Sequence, residues 1–269
     1  MVQMAGMAFL DRISVSQGRD IPDAYPFNLP VIESLDSIQF DPRVTFFVGE
    51  NGSGKSSLLE AIAVGMNCPA VGASDVQRDP MLEDARQLAG FLTFRRSVNA
   101  RLKMFFRAED AIGFTRRVQT DMHMLHGLIG EFDVSLTGEG RDRAMNMAKA
   151  QIAAYETRYG ENPHARSHGE WFIELLKSRL NPNGLYILDE PETPLSPVHQ
   201  LSLLSLIMQQ LEHNCQFIIA THSPILMALP KATILHFDQV IQPIEWDEVE
   251  HVDVTRAFLN DPESFIRHL

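Results

Sequence analysis

Residues Gly49-Glu50-Asn51-Gly52-Ser53-Gly54-Lys55-Ser56 fit G-x-x-x-x-G-K-[ST], the pattern of a loop that wraps phosphate. The run before it, Val44-Thr45-Phe46-Phe47-Val48, is β-branched and aromatic and predicts a buried strand. The run after it, Ser57-Leu58-Leu59-Glu60-Ala61-Ile62-Ala63, predicts the start of a helix. A Gly/Ser turn can match the pattern by chance, but a chance turn does not come framed by a strand and a helix. The glycines let the backbone curl so that successive N–H groups face one anion. The helix N-terminus adds the positive end of its dipole. In this context Gly49, Asn51, Gly52, Ser53, Gly54, Lys55, Ser56 and Ser57 are the expected phosphate-binding residues. Lys55 would reach the β- and γ-phosphates, and the Ser56 hydroxyl would hold Mg²⁺.

The chain of 269 residues can bury a full core as one α/β domain or as a domain carrying an insertion. Its formal net charge of −12 argues against nucleic-acid binding by the whole surface, while leaving room for a local basic patch. Two distant cysteines, Cys68 and Cys215, form no CxxC pair and predict buried apolar thiols in a reducing compartment. No apolar run is long enough for a transmembrane helix, and Asp11 and Arg12 follow a short apolar start with no basic leader. The expected location is the cytoplasm, without direct membrane insertion.

Residues 8–16 and 31–40 each suggest a short strand, joined by an irregular segment containing Pro22, Pro26 and Pro30. Residues 67–165 differ in character. They are rich in Met, Arg and His, with Leu102-Lys103-Met104-Phe105-Phe106 the clearest strand and 141–158 a helix. The expectation is an inserted, mainly helical lobe over 67–165, with 1–66 and 166–269 forming the nucleotide-binding core. From 184 onward strands and helices alternate, which predicts a mainly parallel central sheet with right-handed crossovers. A hairpin is expected at Asp238-Gln239.

Leu185-Tyr186-Ile187-Leu188-Asp189-Glu190-Pro191 is an apolar strand that ends in two acids. Asp189 at the strand end is placed to coordinate Mg²⁺. Glu190 is placed to polarise an attacking water as general base. In Ile218-Ile219-Ala220-Thr221-His222-Ser223-Pro224 a strand is followed by His222 and then by a proline that can open a helix. A histidine past the C-terminal end of a parallel strand stands in the crevice where α/β sheets bind ligands, and can meet the γ-phosphate. The expected catalytic set is Glu190, His222 and Lys55.

Gly49–Ser56, Asp189-Glu190-Pro191 and His222, in this order, resemble the ABC-type ATPases. More narrowly, the chain looks like the stand-alone, single-domain bacterial ATPases of ABC architecture that are grouped with the AAA family. The resemblance covers 40–66 and about 165–269 and is weak between them. It implies a P-loop NTPase fold of ABC architecture, an ATP and Mg²⁺ requirement, and a homodimer with two ATP molecules sandwiched between subunits. It also implies a signature segment, for which Arg166-Ser167-His168-Gly169-Glu170 stands at the right place. Ser167 and Gly169 would then contact ATP held by the opposite subunit. This segment departs from the family pattern, since His168 replaces a glycine and Glu170 a glutamine. The interface loop is Thr193-Pro194-Leu195-Ser196, with Ser196 in place of the family's Asp. A lid glutamine is also implied, and Glu109, Arg107, Gln87 and Gln77 compete for its place. Tyr25 and Phe27 are the candidates for stacking on adenine. Adenine is preferred to guanine from the resemblance and from the lack of an Asn-Lys-x-Asp motif.

Arg95, Arg96, Arg101, Lys103, Arg107, Arg116 and Arg117 cluster against an acidic background. The Arg95–Arg117 region can meet nucleic acid or an acidic partner, or can be a solvated face paired to nearby acids. His123 and His126 suggest a helix face rather than a metal site. Glu192 reads as a structural or interface acid. The resulting expectation is an ATP-hydrolysing switch that dimerises around ATP and signals to a partner or effector, in a nucleic-acid repair or defence complex. The alternatives are the ATPase subunit of a membrane transporter, or a module that uses ATP to assemble with an effector.

Overall fold

A computed structural model of the chain describes residues 8–16, 22–71, 77, 79–135, 137–159 and 168–267, apart from the side chains of 109–112, 114–119, 157–159 and 168. In chain order the first half comprises β1 (Arg12–Val15), α1 (Pro30–Glu33), β2 (Ser37–Gln39), β3 (Val44–Val48), α2 (Lys55–Gly65), α3 (Glu83–Phe91), β4 (Leu92–Arg95) and β5 (Leu102–Arg107). Two long helices follow, α4 (Ala108–Ser135) and α5 (Gly138–Tyr159), and then α6 (His168–Arg179). The last third holds β6 (Gly184–Asp189), α7 (Pro197–Leu211), β7 (Gln216–Ala220), α8 (Pro224–Met227), β8 (Thr233–Phe237), β9 (Ile241–Pro243), α9 (Glu250–Asn260) and α10 (Pro262–Ile266).

The central sheet has the order β5-β6-β7-β3-β8-β9. All its pairings are parallel except β8 with β9, which forms the expected hairpin. Parallel strands covered on both faces must be apolar at every position rather than at alternate ones. This is why the strand segments read as continuous apolar runs. Adjacent residues serve opposite faces. Phe46, Phe106, Tyr186 and Phe217 join one core with Trp171 and Phe172 of α6. Phe47, Phe105, Ile187 and Ile218 join the other, with Leu58, Leu59 and Ile62 of α2. A second, antiparallel sheet, β2-β1-β4, stands beside this assembly. The buried Gln216 of β7 ties the two together. Its amide donates to the Leu10 and Asp41 carbonyls, and its carbonyl accepts from Leu10 N–H.

The 67–165 span is not a lobe throughout. β4 lies in the small sheet and β5 is an edge strand of the central one, paired along its length with β6. The part that leaves the sheets is α4 with α5, which pack on each other. β5 was legible as a strand, but its partner lies some eighty residues downstream, a pairing that local patterning does not carry. Residues 31–40 also differ from expectation, since Pro30 opens the short helix α1 before β2 begins. Pro at a helix's first position is favoured because its missing N–H has no partner to lose there.

Arg107, at the end of β5, is 3 % exposed. Its guanidinium pairs with Glu60 of α2 at 3.2 Å and with Asp79 at 3.3 Å. Asp79 also accepts from Met81 N–H, and its carbonyl accepts from Arg86. Desolvating such a set costs much of what its attraction returns, but deleting one partner strands the others. Arg107→Met should therefore lower the unfolding free energy by about 3 kcal/mol. The triple variant Arg107→Met/Glu60→Gln/Asp79→Asn should regain most of that loss, as read by urea unfolding.

Burial pushes the Cys68 thiol up to about 12 and raises that of Cys215 as well. A thiol pKa raised by folding means that ionisation favours the unfolded chain. The contribution of Cys68 is complete below its ordinary value and is lost as pH rises from there toward 12. Neither thiol should react with iodoacetamide at pH 8 in the folded protein, and both should react after unfolding in urea. Mass spectrometry of the labelled protein reads the difference.

Candidate functional site

Three strands deliver their C-terminal ends to one edge. β3 runs into the glycine loop, β6 ends in Asp189, and β7 between them leads to Thr221 and His222. Thr221 N–H donates to the Phe47 carbonyl and Glu190 N–H to the Ala220 carbonyl, so the three ends are stitched across. Residues 44–56 and 189–222 thus become neighbours through strand order alone.

The loop curls because its glycines adopt backbone angles closed to other residues. Gly49, Gly52 and Gly54 have φ of +142°, +80° and +94°. A Cβ on Gly49 would stand 2.3 Å from the Phe237 carbonyl oxygen of β8, and one on Gly54 would stand 2.7 Å from Val31 of α1. Gly52 has open space around it, and Asn51 is exposed beside it. Helix α2 begins at Lys55, so its first N–H groups have no carbonyl behind them and face the loop.

Lys55 is buried, and its ammonium donates to the carbonyls of Gly49 at 2.8 Å and Glu50 at 2.7 Å, with Ser53 Oγ farther off at 3.5 Å. Desolvation lowers its pKa, while the carboxylates of Glu190, Asp189 and Glu50 work against that shift. Ser56 Oγ donates to Asp189 Oδ1 at 3.2 Å. Asp189 is buried, and desolvation raises its pKa to about 7, opposed by the Ser56 hydrogen bond and reinforced by Glu190 and Glu60. A buried carboxylate beside a hydroxyl is an oxygen-only donor pair. It suits Mg²⁺, which keeps most of its waters and takes one or two protein oxygens plus phosphate.

Glu190 adopts φ +45°, in the left-handed region that a non-glycine residue enters at a cost of roughly 1 kcal/mol or more. Its hydrogen bond to Ala220 holds it there, and its side chain is half-exposed at the site. Glu190 Oε1 lies 3.8 Å from His222 Nε2. Two residues outside the expected catalytic set hold His222: Glu192, expected as a structural or interface acid, and His251, which had no place in the expectation. Glu192 accepts from the His222 backbone N–H at 2.7 Å, and His251 of α9 places Nε2 at 2.9 Å from His222 Nδ1. Desolvation lowers the His222 pKa, Lys55 and His251 add to the effect, and Glu190 opposes it. The place of Glu192 beside the Asp-Glu-Pro turn was visible in the sequence. His251 had no local signal, because only the return of α9 over α8 brings it in.

The remaining candidates fall in several places. Ser167 lies outside the described residues, as does the side chain of His168. Gly169 is buried in the first turn of α6, and a Cβ on it would stand 2.6 Å from His199 Nδ1. His199 Nδ1 is in turn 3.0 Å from Ser196 Oγ, so the expected signature and interface loop meet. Ser57 Oγ is bonded to the Tyr25 hydroxyl at 2.8 Å, and Tyr25 is exposed. Phe27 is buried edge-on against Phe91, which removes it from stacking on a base. Among the lid candidates, Arg107 is committed to its acid partners, Gln77 bonds the Val64 carbonyl and Asn67, and Gln87 is exposed on α3. The side chain of Glu109 lies outside the described residues. The basic cluster is also divided. Arg107 faces inward, Arg95 pairs with Asp11, and Arg96 and Lys103 donate to the Gly65 and Met66 carbonyls. The side chains of Arg116 and Arg117 lie outside the described residues. His126 bonds the Met122 carbonyl of its own helix, and no cluster of three or more His, Cys, Asp or Glu suited to a metal occurs among the described residues.

The glycine geometry separates two costs. Gly49→Ala brings a Cβ against backbone and should lower the unfolding free energy by about 2 kcal/mol or more. Gly52→Ala meets no atom and should cost only about 1 kcal/mol, from its positive φ. Urea unfolding of both variants without nucleotide checks the order.

An AAA-domain family model matches residues 28–131, and a second, described as AAA domain, putative AbiEii toxin, Type IV TA system, matches 171–228. A protein of Haemophilus influenzae described as an uncharacterized ABC transporter ATP-binding protein is 25% identical over 250 residues, with 87% of each chain covered. Among solved structures, the Smc head domain of Pyrococcus furiosus bound to the C-terminal domain of ScpA overlaps at TM-score 0.45 and 12% identity, over 94% of this chain and 99% of that one. The cbiO1 subunit of a Clostridium perfringens ABC transporter complex overlaps at TM-score 0.43 and 16% identity, over 97% and 100%. Among the described residues no helix is long and apolar enough to cross a membrane. The phosphate loop on β3, the acid pair closing β6 and the AAA-domain matches on both halves together support an ABC-like nucleotide-binding domain of the AAA type with ATPase activity.

Proposed function

We propose that the protein is an ATP-driven switch in which two copies close around two ATP molecules and open on hydrolysis. The observation that carries this reading is the meeting of Lys55, Ser56, Asp189, Glu190 and His222 at one edge of the parallel sheet. The loop amides and the Lys55 ammonium bind the β- and γ-phosphates, for which Lys55 exchanges the carbonyls of Gly49 and Glu50. Mg²⁺ at Ser56 and Asp189 would supply charge neutralisation of the phosphate oxygens. Glu190 accepts the proton of the attacking water, and its half-exposed carboxylate leaves room for that water. His222 donates to the γ-phosphate side of the site. Tyr25 is the residue available to stack on adenine. The surface where Gly169 and Ser196 meet would face the ATP of the second copy. Closure is then driven by the better affinity of ATP for the paired state than for the open one.

The output is a motion passed to a partner protein. The match to a model described as a putative AbiEii toxin favours a defence or nucleic-acid complex. The name of the Haemophilus relative favours a second reading, the ATPase subunit of a transporter. A duplex-DNA gel shift with ATP separates the two, because a transporter subunit has no reason to retard DNA. Among the described residues, Arg95, Arg96 and Arg101 are the exposed arginines of the basic cluster that would contribute to such a shift.

Glu190→Gln should retain ATP binding and lower phosphate release by a factor of about 10² or more. It should also accumulate ATP-dependent dimer in size-exclusion chromatography with light scattering. A Glu190→Gln protein that stays monomeric in saturating Mg-ATP contradicts the sandwich, and undiminished phosphate release contradicts the role of Glu190.

A further inference from the structure

His222 has two ring nitrogens in unlike surroundings. Nδ1 lies 2.9 Å from His251 Nε2, and the rings meet edge to face with centroids 4.7 Å apart. Nε2 is buried without a hydrogen-bond partner and faces Glu190 Oε1 at 3.8 Å. A hydrogen bond between two neutral imidazoles needs one nitrogen bearing hydrogen and one bearing a lone pair. That leaves two arrangements. If His222 donates from Nδ1, its Nε2 lone pair is aimed at a carboxylate, which is repulsive, and neither atom gains a proton to share. If His251 donates from Nε2, the hydrogen of His222 sits on Nε2 and points at the carboxylate, which is attractive. The electrostatics of the site therefore select the second arrangement.

We propose that His251 is a positioning residue that donates Nε2–H to His222 Nδ1, fixing His222 as the Nε2–H tautomer with its one donor aimed into the nucleotide site. The tautomer of a histidine is set by what its other nitrogen bonds, and His251 is the group that does so here. The remaining groups around His222 agree. Burial, with Lys55 and His251 beside it, disfavours a second proton on the ring, and Glu192 holds the His222 backbone N–H in place. The value of the donor to catalysis rests on the reading that His222 meets the γ-phosphate. The pairing itself does not.

Two measurements separate these levels. Long-range ¹H–¹⁵N NMR of the full chain, with His222 assigned by comparison with His222→Ala, should show a pyrrole-like Nε2 and a pyridine-like Nδ1. In His251→Phe that preference should be lost. A pyrrole-like Nδ1 in the parent, or an unchanged pattern in His251→Phe, overturns the proposal. In steady-state assays His251→Phe should lower kcat by about 10-fold with KM for ATP changed less than about twofold, as expected when a supporting hydrogen bond is removed. His251→Gln keeps an amide N–H donor and should recover most of the loss. Equal losses in both variants indicate a packing role for His251 and overturn the positioning role. If His222→Ala turns over ATP at the parent rate, the reading of His222 in hydrolysis fails while the NMR result still decides the pairing.

Discussion

The site is built around an excess of negative charge at the end of a parallel sheet. Glu50, Asp189 and Glu190 all act on one buried ammonium, Lys55, and Glu192 adds its charge beside Glu190. Burial, reinforced by Glu190 and Glu60, raises the Asp189 pKa, and the Lys55 ammonium donates to the carbonyls of its own loop. A polyanion alone would worsen the imbalance at Asp189, and a divalent cation alone would leave the loop amides unfilled. Triphosphate and metal together suit both halves, which is why the loop and the acid pair belong to a single site.

Strand order turns that chemistry into a structural requirement. β7 lies between β3 and β6, so the loop and the acid pair are separated by one strand, about 5 Å per step across the sheet. The inserted strand fills the gap with His222, and its backbone takes the bonds that hold Glu190 in a left-handed conformation. The strain at Glu190 is sustained by the sheet, and its carboxylate stands 3.8 Å from His222 Nε2 and close enough to Lys55 to act on its charge. With Glu192 on the backbone N–H of His222 and His251 on its ring, the turn after β6 and the helix α9 converge on one imidazole.

The phosphate loop, the acid strand and His222 were legible because each is a local pattern: a glycine spacing, an apolar run with acids at its end, a histidine before a helix-opening proline. The parallel core was legible for the same reason, since strands buried on both faces carry continuous apolar runs. What escaped is long-range. Arg107 reads as one more member of a basic stretch, and only the approach of α2 and Asp79 makes it a buried ion-pair centre. Phe27 reads as a plausible base-stacking ring until Phe91 covers it. β5 was visible as a strand, yet its membership of the central sheet depends on a partner beyond two long helices. His251 lies in a polar helix start with no motif at all. Local chemistry is written in adjacent residues, whereas tertiary partnership needs the fold.

Arg107 also explains how the long helices are mounted on the nucleotide site. β5 ends at Arg107, α4 begins at Ala108, and Arg107 lies in register with Asp189 on the neighbouring strand. Its guanidinium is held by Glu60, one turn beyond Ser56 on the helix that starts at Lys55. Hydrogen bonds to charged groups contribute about 1.5–3 kcal/mol each, so two of them make this joint stiffer than an apolar contact of the same size. An apolar joint here would pack as well and would avoid the desolvation of three charges. It would also slide, because dispersion has no direction, whereas a forked guanidinium has a fixed geometry toward each carboxylate. The ion pairs therefore fix the first turn of α4 relative to α2. A displacement of the phosphate-loop helix has to carry the base of the α4–α5 pair with it or break the charged hydrogen bond between Arg107 and Glu60.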